Sequence, residues 1–271
     1  MFDLGQLKEK APAVFRTKEQ GAAQGASQKY QFMTTSDVVS ILSDMDWKVY
    51  DAKQQKTKKD PETTKHLIRF RNENVTTDKK GENVPEILLV NSHDRTSALT
   101  FHVGIFRLIC SNGLVVADKT FEKFSFRHMF TDFETVTNTI TQITQKLPDV
   151  FKKIQTFEGT ILTPDQQMEL ALRSIAIRYP EYLDVKTNEV RYDLIQKAMN
   201  VQDMLIPRRK EDEGHNLWVT YNKVQEYIIK GGFKKMGVGN KQIQARELTN
   251  IKMLLNVNLG LWDLFTQYCP S

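Results

Sequence analysis

Apolar positions recur along the chain with two periods, and the period changes once. In TTSDVVSILSDMDW, Val38, Ile41, Leu42 and Met45 fall at the spacing that places them on one face of a helix. Thr35 or Ser36 can accept a hydrogen bond from a free N–H group of its first turn, so a short amphipathic helix is predicted over residues 35–46. The runs that follow, WKVYDAKQQ, KHLIRFRNE and PEILLVN, are rich in β-branched and aromatic residues and are separated by the polar segments KTKKDPETT and NVTTDKKGENV. They read as strands joined by basic turns. Residues 97–110 add another strand, and Ser111-Asn112-Gly113 marks a reversal before LVV. About five strands in an antiparallel meander are expected.

The helical period takes over at Thr131-Asp132-Phe133-Glu134, a capping box continued by the stripe Phe133, Val136, Ile140, Ile143 and Leu147 through a helix expected over 131–153. A second box, Thr163-Pro164-Asp165-Gln166, has Pro at the first helical position and opens ELALRSIAIRY, stopped by Pro180. Further helices are predicted at 188–200, at 216–230 ahead of Gly231-Gly232, and at about 250–268. Strands first and helices after them predict an α+β fold: an N-terminal antiparallel sheet with a short preceding helix, then a mostly helical C-terminal half. Residues 1–29 end in EQGAAQGASQ, a stretch too poor in apolar surface to build a core, and are expected to be a flexible N-terminal arm. Residues 30–268 are expected to form a single domain with a sheet-rich half at 30–130 and a helical half at 131–268.

Composition narrows the function classes. The 271 residues are 40% hydrophobic, enough for a core, and the net charge of +5 with pI about 9.0 permits an anionic partner without requiring one. Only Cys110 and Cys269 occur, which excludes a disulfide framework and suits a reducing compartment. No apolar run approaches the ~20 residues of a membrane span, and MFDLGQLKEKAPAVF lacks the apolar stretch of a secretory signal. A soluble, cytoplasmic protein without a membrane partner is expected.

Asn91 to Val116 holds His93, His102 and Cys110, and with His128 these invite a metal or Cys/His reading. Strand geometry argues against it: His102 and Cys110 lie ~27 Å apart along an unbent strand, and His102 is expected to pair near Leu89 rather than near His93. Neither CxxC nor HExxH occurs. Cys110, inside FRLICSNG, reads as a buried thiol. The cluster GGFKKMGVGNKQ at 231–242 imitates a phosphate loop but lacks the GK[ST] ending, and Glu211-Asp212-Glu213 beside Arg208, Arg209 and Lys210 reads as a solvated charge run. No catalytic residue, metal or cofactor is expected.

Basic residues read differently. In KHLIRFRN the alternation puts Lys65, Arg69 and Arg71 on one face and Ile68 and Phe70 on the other, while Lys53, Lys56, Lys58 and Lys59 cluster in and beside the adjoining turn. Such a face suits a phosphate backbone, although an ordinary solvated face has the same pattern. Arg107 shares parity with Phe101, Val103, Ile105 and Ile109, so it either pairs with a buried acid or enters a groove.

Taken together, YQFMTTSDVVSILSDMDWKV, PEILLVNSHDRTSALTFHVGIFRLICSNGLVVAD, ALRSIAIRY and NLWVTYNKVQEYIIKGG resemble the phage- and plasmid-borne family known as domain of unknown function 932, over roughly residues 30–268. The resemblance implies a mobile-element origin and a bacterial cytoplasm, and it carries no catalytic residues. The plan of a small antiparallel sheet followed by a long helix is also similar to that of phage single-strand annealing proteins of the RecT, Redβ and Erf families, a likeness of plan alone. The leading expectation is a non-enzymatic protein that binds the phosphate backbone of single-stranded DNA as a homo-oligomer, in annealing or recombination. Lys53, Lys56, Lys58, Lys59, Lys65, Arg69 and Arg71 would meet phosphates, with Arg107 as a groove residue. The alternative is a module binding a host or phage protein, to counter a defence or join replication, through an exposed apolar or aromatic patch in the helical half around Trp218, Tyr221 and Trp262. An enzyme with an unrecognised site around His93 or Asp94 is a third.

Overall fold

A computed structural model describes residues 2–17, 20, 34–58, 60–72, 74, 83–94, 97–107, 114–116, 125–126, 133–237 and 241–270, with the side chains of 106, 107, 114–116 and 125–126 outside that set. The chain divides into two compact units, Met1–Pro148 and Asp149–Ser271. The division falls inside a helix, after Pro148.

The first unit is built on an antiparallel meander of β1 (Lys48–Gln54), β2 (His66–Arg71), β3 (Asn83–Asn91) and β4 (Leu99–Arg107). Four long strands carry the sheet, not five. The expected fifth, LVV, forms β5 (Leu114–Val116), a three-residue strand antiparallel to β4, and β6 (Ser125–Phe126), of two residues, pairs with the other end of β4. Residues 108–113, with Cys110 and the predicted reversal, lie outside the described residues.

Registers across the sheet, such as Ile68↔Leu89, Phe70↔Ile87, Leu89↔Phe101 and Ile87↔Val103, align large apolar side chains on one face. All of these are essentially inaccessible. On the other face Leu67, Leu88 and Val90 are also buried, so both faces are covered. His102 pairs with Leu88, one residue from the expected partner and well away from His93.

α2 (Thr35–Asp44) precedes the sheet. Its N-cap is Thr34, whose hydroxyl accepts from the Asp37 N–H at 3.1 Å, one residue before the predicted cap. That displacement leaves Thr35 free for a different task, described below. The segment expected to be an arm is not uniform. α1 (Leu4–Lys10) opens with a capping box between Asp3 and Gln6, a 3-10 turn follows over Pro12–Phe15, and Leu7, Ala11, Ala13 and Val14 are buried. Phe2 N–H donates to Val49 O at 2.9 Å, and Lys10 reaches Asp51 at 3.3 Å, so this segment is tied to β1. Residues 21–33 lie outside the described residues.

α3 (Phe133–Gly159) is a 27-residue helix with Pro148 in its interior. Val136, Ile140, Ile143 and Leu147 are buried as one stripe, as their spacing predicted, but Phe133, the first residue of the expected stripe, is 52% exposed. Thr131 and Asp132 of the first capping box lie outside the described residues.

The second unit takes in the last turns of α3 together with α4 (Pro164–Arg178), α5 (Tyr192–Ala198), α6 (Leu217–Lys230), the ribbon of β7 (Lys234–Met236) and β8 (Gln242–Gln244), and α7 (Ile251–Thr266). The capping box at Thr163 and Gln166 forms with both of its hydrogen bonds. Phe157, Trp218, Tyr221, Trp262 and Phe265 meet in stacked and edge-on pairs, with ring centroids 4.9–6.4 Å apart. Offset and edge-on pairs of this kind add about 0.5–1.5 kcal/mol each beyond burial. Trp218, Tyr221 and Trp262 are thus core residues and do not themselves form an exposed patch.

α6 is buried all round from Leu217 to Ile229, which explains its buried Thr220, Asn222 and Gln225 only because each has a partner. Asn222 donates to Trp218 O at 2.7 Å, and Gln225 donates to the Asn258 amide on α7 at 2.9 Å. Its C-terminal end is closed by Gly231, at φ 67°, and by the buried Arg178, which donates to the carbonyls of Ile228 and Arg246. A Cβ at Gly231 would lie 2.7 Å from both the Ala245 and Arg246 carbonyl oxygens. Positive φ and backbone crowding coincide there, so Gly231→Ala should destabilise the chain by about 2 kcal/mol or more. Urea unfolding measures it, and an unchanged midpoint would contradict this packing.

Candidate functional site

The basic face predicted for β2 exists as a face, and its two arginines are engaged by a carboxylate of the neighbouring strand. Lys65, Arg69 and Arg71 do alternate with Ile68 and Phe70, and all three are half-buried. Arg69 donates from Nε and a terminal nitrogen to the two oxygens of Glu86 at 2.7 and 2.8 Å, and Arg71 donates from Nε to the same carboxylate at 2.7 Å. The Glu86 side chain is only 2% exposed. Arg69 also lies 3.5 Å from Asp51, and the Arg71 guanidinium stacks over Tyr50 with 3.3 Å to the ring centroid.

Burial alone would lower the pKa of Arg69. The Glu86 hydrogen bonds and charge, with Asp51 and Tyr50, more than offset it and raise it. A lone carboxylate at the Glu86 position would cost several kcal/mol of desolvation, which two charge-assisted arginine contacts offset. Arg69 and Arg71 therefore serve β1, β2 and β3 first, and their positive charge is largely cancelled locally.

The lysines at the other end of the same strand pair differ. Lys56 and Lys58 are exposed, Lys53 is half-buried on β1 opposite Leu67, and Lys65 accepts at its carbonyl from the Gln55 N–H at 2.9 Å. The acids in this turn, Asp60 and Glu62, lie 3.0 and 3.9 Å from Arg16, whose side chain is largely enclosed. Part of the turn's negative charge is thus already countered from the N-terminal segment, and the lysines keep an excess of positive charge. Lys59 lies outside the described residues; Arg107 pairs through its backbone with Asn83, and its side chain lies outside them.

A second polar centre sits at the opposite face and was not legible as one, because it joins two histidines distant in sequence. Thr35, His66, Asn91, Ser92 and His93 are all fully buried. The His66 and His93 rings stand 5.6 Å apart, and both Nε2 atoms reach the Thr35 oxygen, at 2.9 and 3.2 Å. His66 Nδ1 lies 2.9 Å from the Thr64 carbonyl, which can only accept, so the proton is on Nδ1 and Nε2 accepts from the Thr35 hydroxyl. The hydroxyl's two lone pairs then accept from His93 Nε2–H and from the Asn91 amide at 3.0 Å. Asn91 Oδ1 in turn accepts from the Ser92 N–H at 2.8 Å.

Thr35 thereby uses its one donor and both acceptors to tie the first turn of α2 to the ends of β2 and β3. The register His66↔Asn91 sets the geometry. This is a structural pin, sealed from solvent; no group of three or more metal-binding side chains occurs among the described residues. Of the remaining suspects, His102 is half-buried with Nε2 3.2 Å from Thr100 Oγ1, while Cys110 and His128 lie outside the described residues.

In the second unit the charge run is mixed: Arg208, Lys210, Glu211 and Glu213 are exposed, as expected, while its other two residues are held inward. Asp212 is buried, and Arg209 bonds both oxygens of Glu226 at 2.7 Å and Asp212 at 3.0 Å, with Lys230 on Glu226 at 3.2 Å. Burial would raise the Glu226 pKa, but Arg209 and Lys230 hold it below the ordinary glutamate value. Within the glycine-rich stretch after α6, Lys234–Met236 pairs with Gln242–Gln244 as the β7–β8 ribbon, and residues 238–240 lie outside the described residues.

The blocks that carry these contacts, the NSHD turn with its pin, β2–β3 and the wholly buried α6, match a defined family over residues 24–254, described as Domain of unknown function (DUF932). The chain belongs to DUF932. It is similar to two proteins of Escherichia coli (strain K12), UPF0380 protein YafZ and UPF0380 protein YfjQ. Each is 28% identical over 260 residues, covering 95% of this chain and 88% of the relative. No solved structure matches. No described helix of this DUF932 chain is long and apolar enough to cross a membrane.

The pin has a pH signature. Burial lowers the His66 pKa from 6.5 to about 4, against smaller upward effects of the Thr64 carbonyl and Asp94, and burial lowers His102 to about 4 as well. Below about pH 6.5 the unfolded chain takes up protons that the folded chain refuses, so stability is full above that value and falls as pH drops toward 4. His66 alone should remove about 2 kcal/mol between pH 7 and 5, a window above most carboxylate titration. Urea unfolding across that window should show this slope, reduced in His66→Asn, and a flat profile would contradict a buried neutral His66.

Proposed function

We propose that this DUF932 protein binds single-stranded DNA through its phosphate backbone, without catalysing a reaction, and assembles as a homo-oligomer on the strand in annealing or recombination. The observation that carries the proposal is the partition of basic residues on the β1–β2 pair. Arg69 and Arg71 are engaged by the buried Glu86, whereas Lys56 and Lys58 are exposed and Lys53 stands beside them. A lysine cluster in a turn at the end of a sheet suits sequence-independent contact with phosphates, because each ammonium is a flexible point charge. The order of elements adds support of a weaker kind: α2, four antiparallel strands and then the long α3 follow the plan of phage annealing proteins. The pin at Thr35 supports the non-catalytic part, since both of its imidazoles are fully buried and serve the fold.

Binding of this type falls steeply with salt, with a log-log slope of about −0.7 per phosphate contact on a single strand. The double variant Lys56→Glu, Lys58→Glu should weaken binding of a fluorescent oligonucleotide at least tenfold at low salt and flatten the slope by about 1.4, with the thermal melt unchanged. Binding that is insensitive to salt, or equal in the variant, would overturn the proposal. Sizing with and without the oligonucleotide reads the oligomer: a species that stays monomeric on the strand argues against annealing.

A further inference from the structure

The second unit contains a cleft of about 950 Å³ whose walls are the β7–β8 ribbon and the segment from the end of α5 to the 3-10 turn over Val201–Leu205. The ribbon's register, Lys234↔Gln244 and Met236↔Gln242, puts Lys234, Met236 and Gln242 on one face. That face lines the cleft. The opposite face carries Lys235, which lies 3.8 Å above the Tyr179 ring and 3.4 Å from Glu181, so the ribbon is anchored on one side and open on the other. Phe233 at the ribbon's root is itself fixed by stacking on Tyr227 at 4.4 Å.

Three kinds of group face the space. Met236, half-buried on the ribbon, and the edges of the largely buried Met199 and Phe233 offer polarisable apolar surface. Gln196, Gln202 and Gln242, all exposed, offer amides that can donate and accept side by side. Lys197 and Lys234 are exposed cations on opposite walls, against one acid, Asp203, which already accepts from the Asn200 amide at 2.8 Å. An apolar slot, paired amides and a surplus of ammonium groups together match a heterocyclic base joined to a phosphate. The volume lies within the range of small-molecule clefts, about 300–1,000 Å³.

We propose that this cleft binds a nucleoside phosphate, with the base between the methionine-lined walls, its edge on the glutamine amides and the phosphate on Lys197 and Lys234. It is a second site, formed by other residues than the lysines of the β1–β2 turn. Taking the nucleotide to be a residue of a single strand rests on the function proposed above; a free mononucleotide has the same chemistry.

The full chain, irradiated with a single-stranded oligothymidylate carrying 5-iodouracil, should crosslink within residues 196–203, 232–236 and 242–244. Lys197→Glu with Lys234→Glu should cut that yield at least tenfold with the thermal melt unchanged, and Lys56→Glu with Lys58→Glu should not redirect the remaining crosslinks. A parallel titration with thymidine 5′-monophosphate separates the sources. If no strand binds but the mononucleotide gives a saturable thermal shift that Lys197→Glu with Lys234→Glu abolishes, the cleft stands as a free-nucleotide site while the strand-binding function falls. A strand that binds but crosslinks only elsewhere, or the absence of both strand binding and a mononucleotide shift, overturns the cleft.

Discussion

The buried carboxylate of Glu86 is the constraint on which the first unit turns. A charge at 2% exposure on the central strand pair is tolerable only if cations reach it with good geometry, and Arg69 and Arg71 supply three short hydrogen bonds from the neighbouring strand. Because β2 alternates, committing those two arginines also fixes which side of the strand faces the apolar layer of Ile68 and Phe70. Tyr50 and Asp51 then complete the site from β1, and Lys10 of α1 reaches the same aspartate. One interaction thus links three strands and the N-terminal segment, and it removes two arginines from the pool that could meet an external anion.

The Thr35 pin does the corresponding work at the other face. Its hydroxyl can satisfy three partners only if His66 and His93 take complementary tautomers, so the cluster specifies the docking of α2 on the sheet as well as stabilising it. In the second unit Arg209 on Glu226 and Arg178 on the end of α6 play similar parts, and they allow a helix with so many polar residues to be buried all round. Among the described residues Arg16, Arg69, Arg71, Arg178 and Arg209 are drawn inward to carboxylates or carbonyls, whereas Arg191, Arg208 and Arg246 are exposed, as are Lys56 and Lys58 after β1 and Lys234 in the β7–β8 ribbon.

Much of the architecture was legible because it rests on periodicity and local chemistry. The four long strands, the apolar stripe of α3, the capping box at Thr163 and the stop at Gly231 follow from residues close in sequence. The Asp3 and Gln6 capping box was equally local, but the small-residue run after it drew the whole segment into the reading of an arm. What could not be read were partners supplied by other strands. Nothing near Arg69 in sequence announces Glu86, and nothing near His66 announces His93; both pairings exist only through the β2–β3 register. The candidate site was therefore half visible: alternation located the basic face, but only the fold divides structural arginines from exposed lysines.

That division is tested most directly by nitrogen-15 NMR of the side-chain Nε–H groups of arginine and the ammonium groups of lysine, recorded with and without a single-stranded oligonucleotide at low salt. The account predicts that the Nε–H signals of Arg69 and Arg71 are protected from exchange in the free protein and do not move on addition of the strand, while those of Lys56 and Lys58 shift. Exchange-labile arginine signals that move with the strand, beside lysine signals that stay in place, would contradict it.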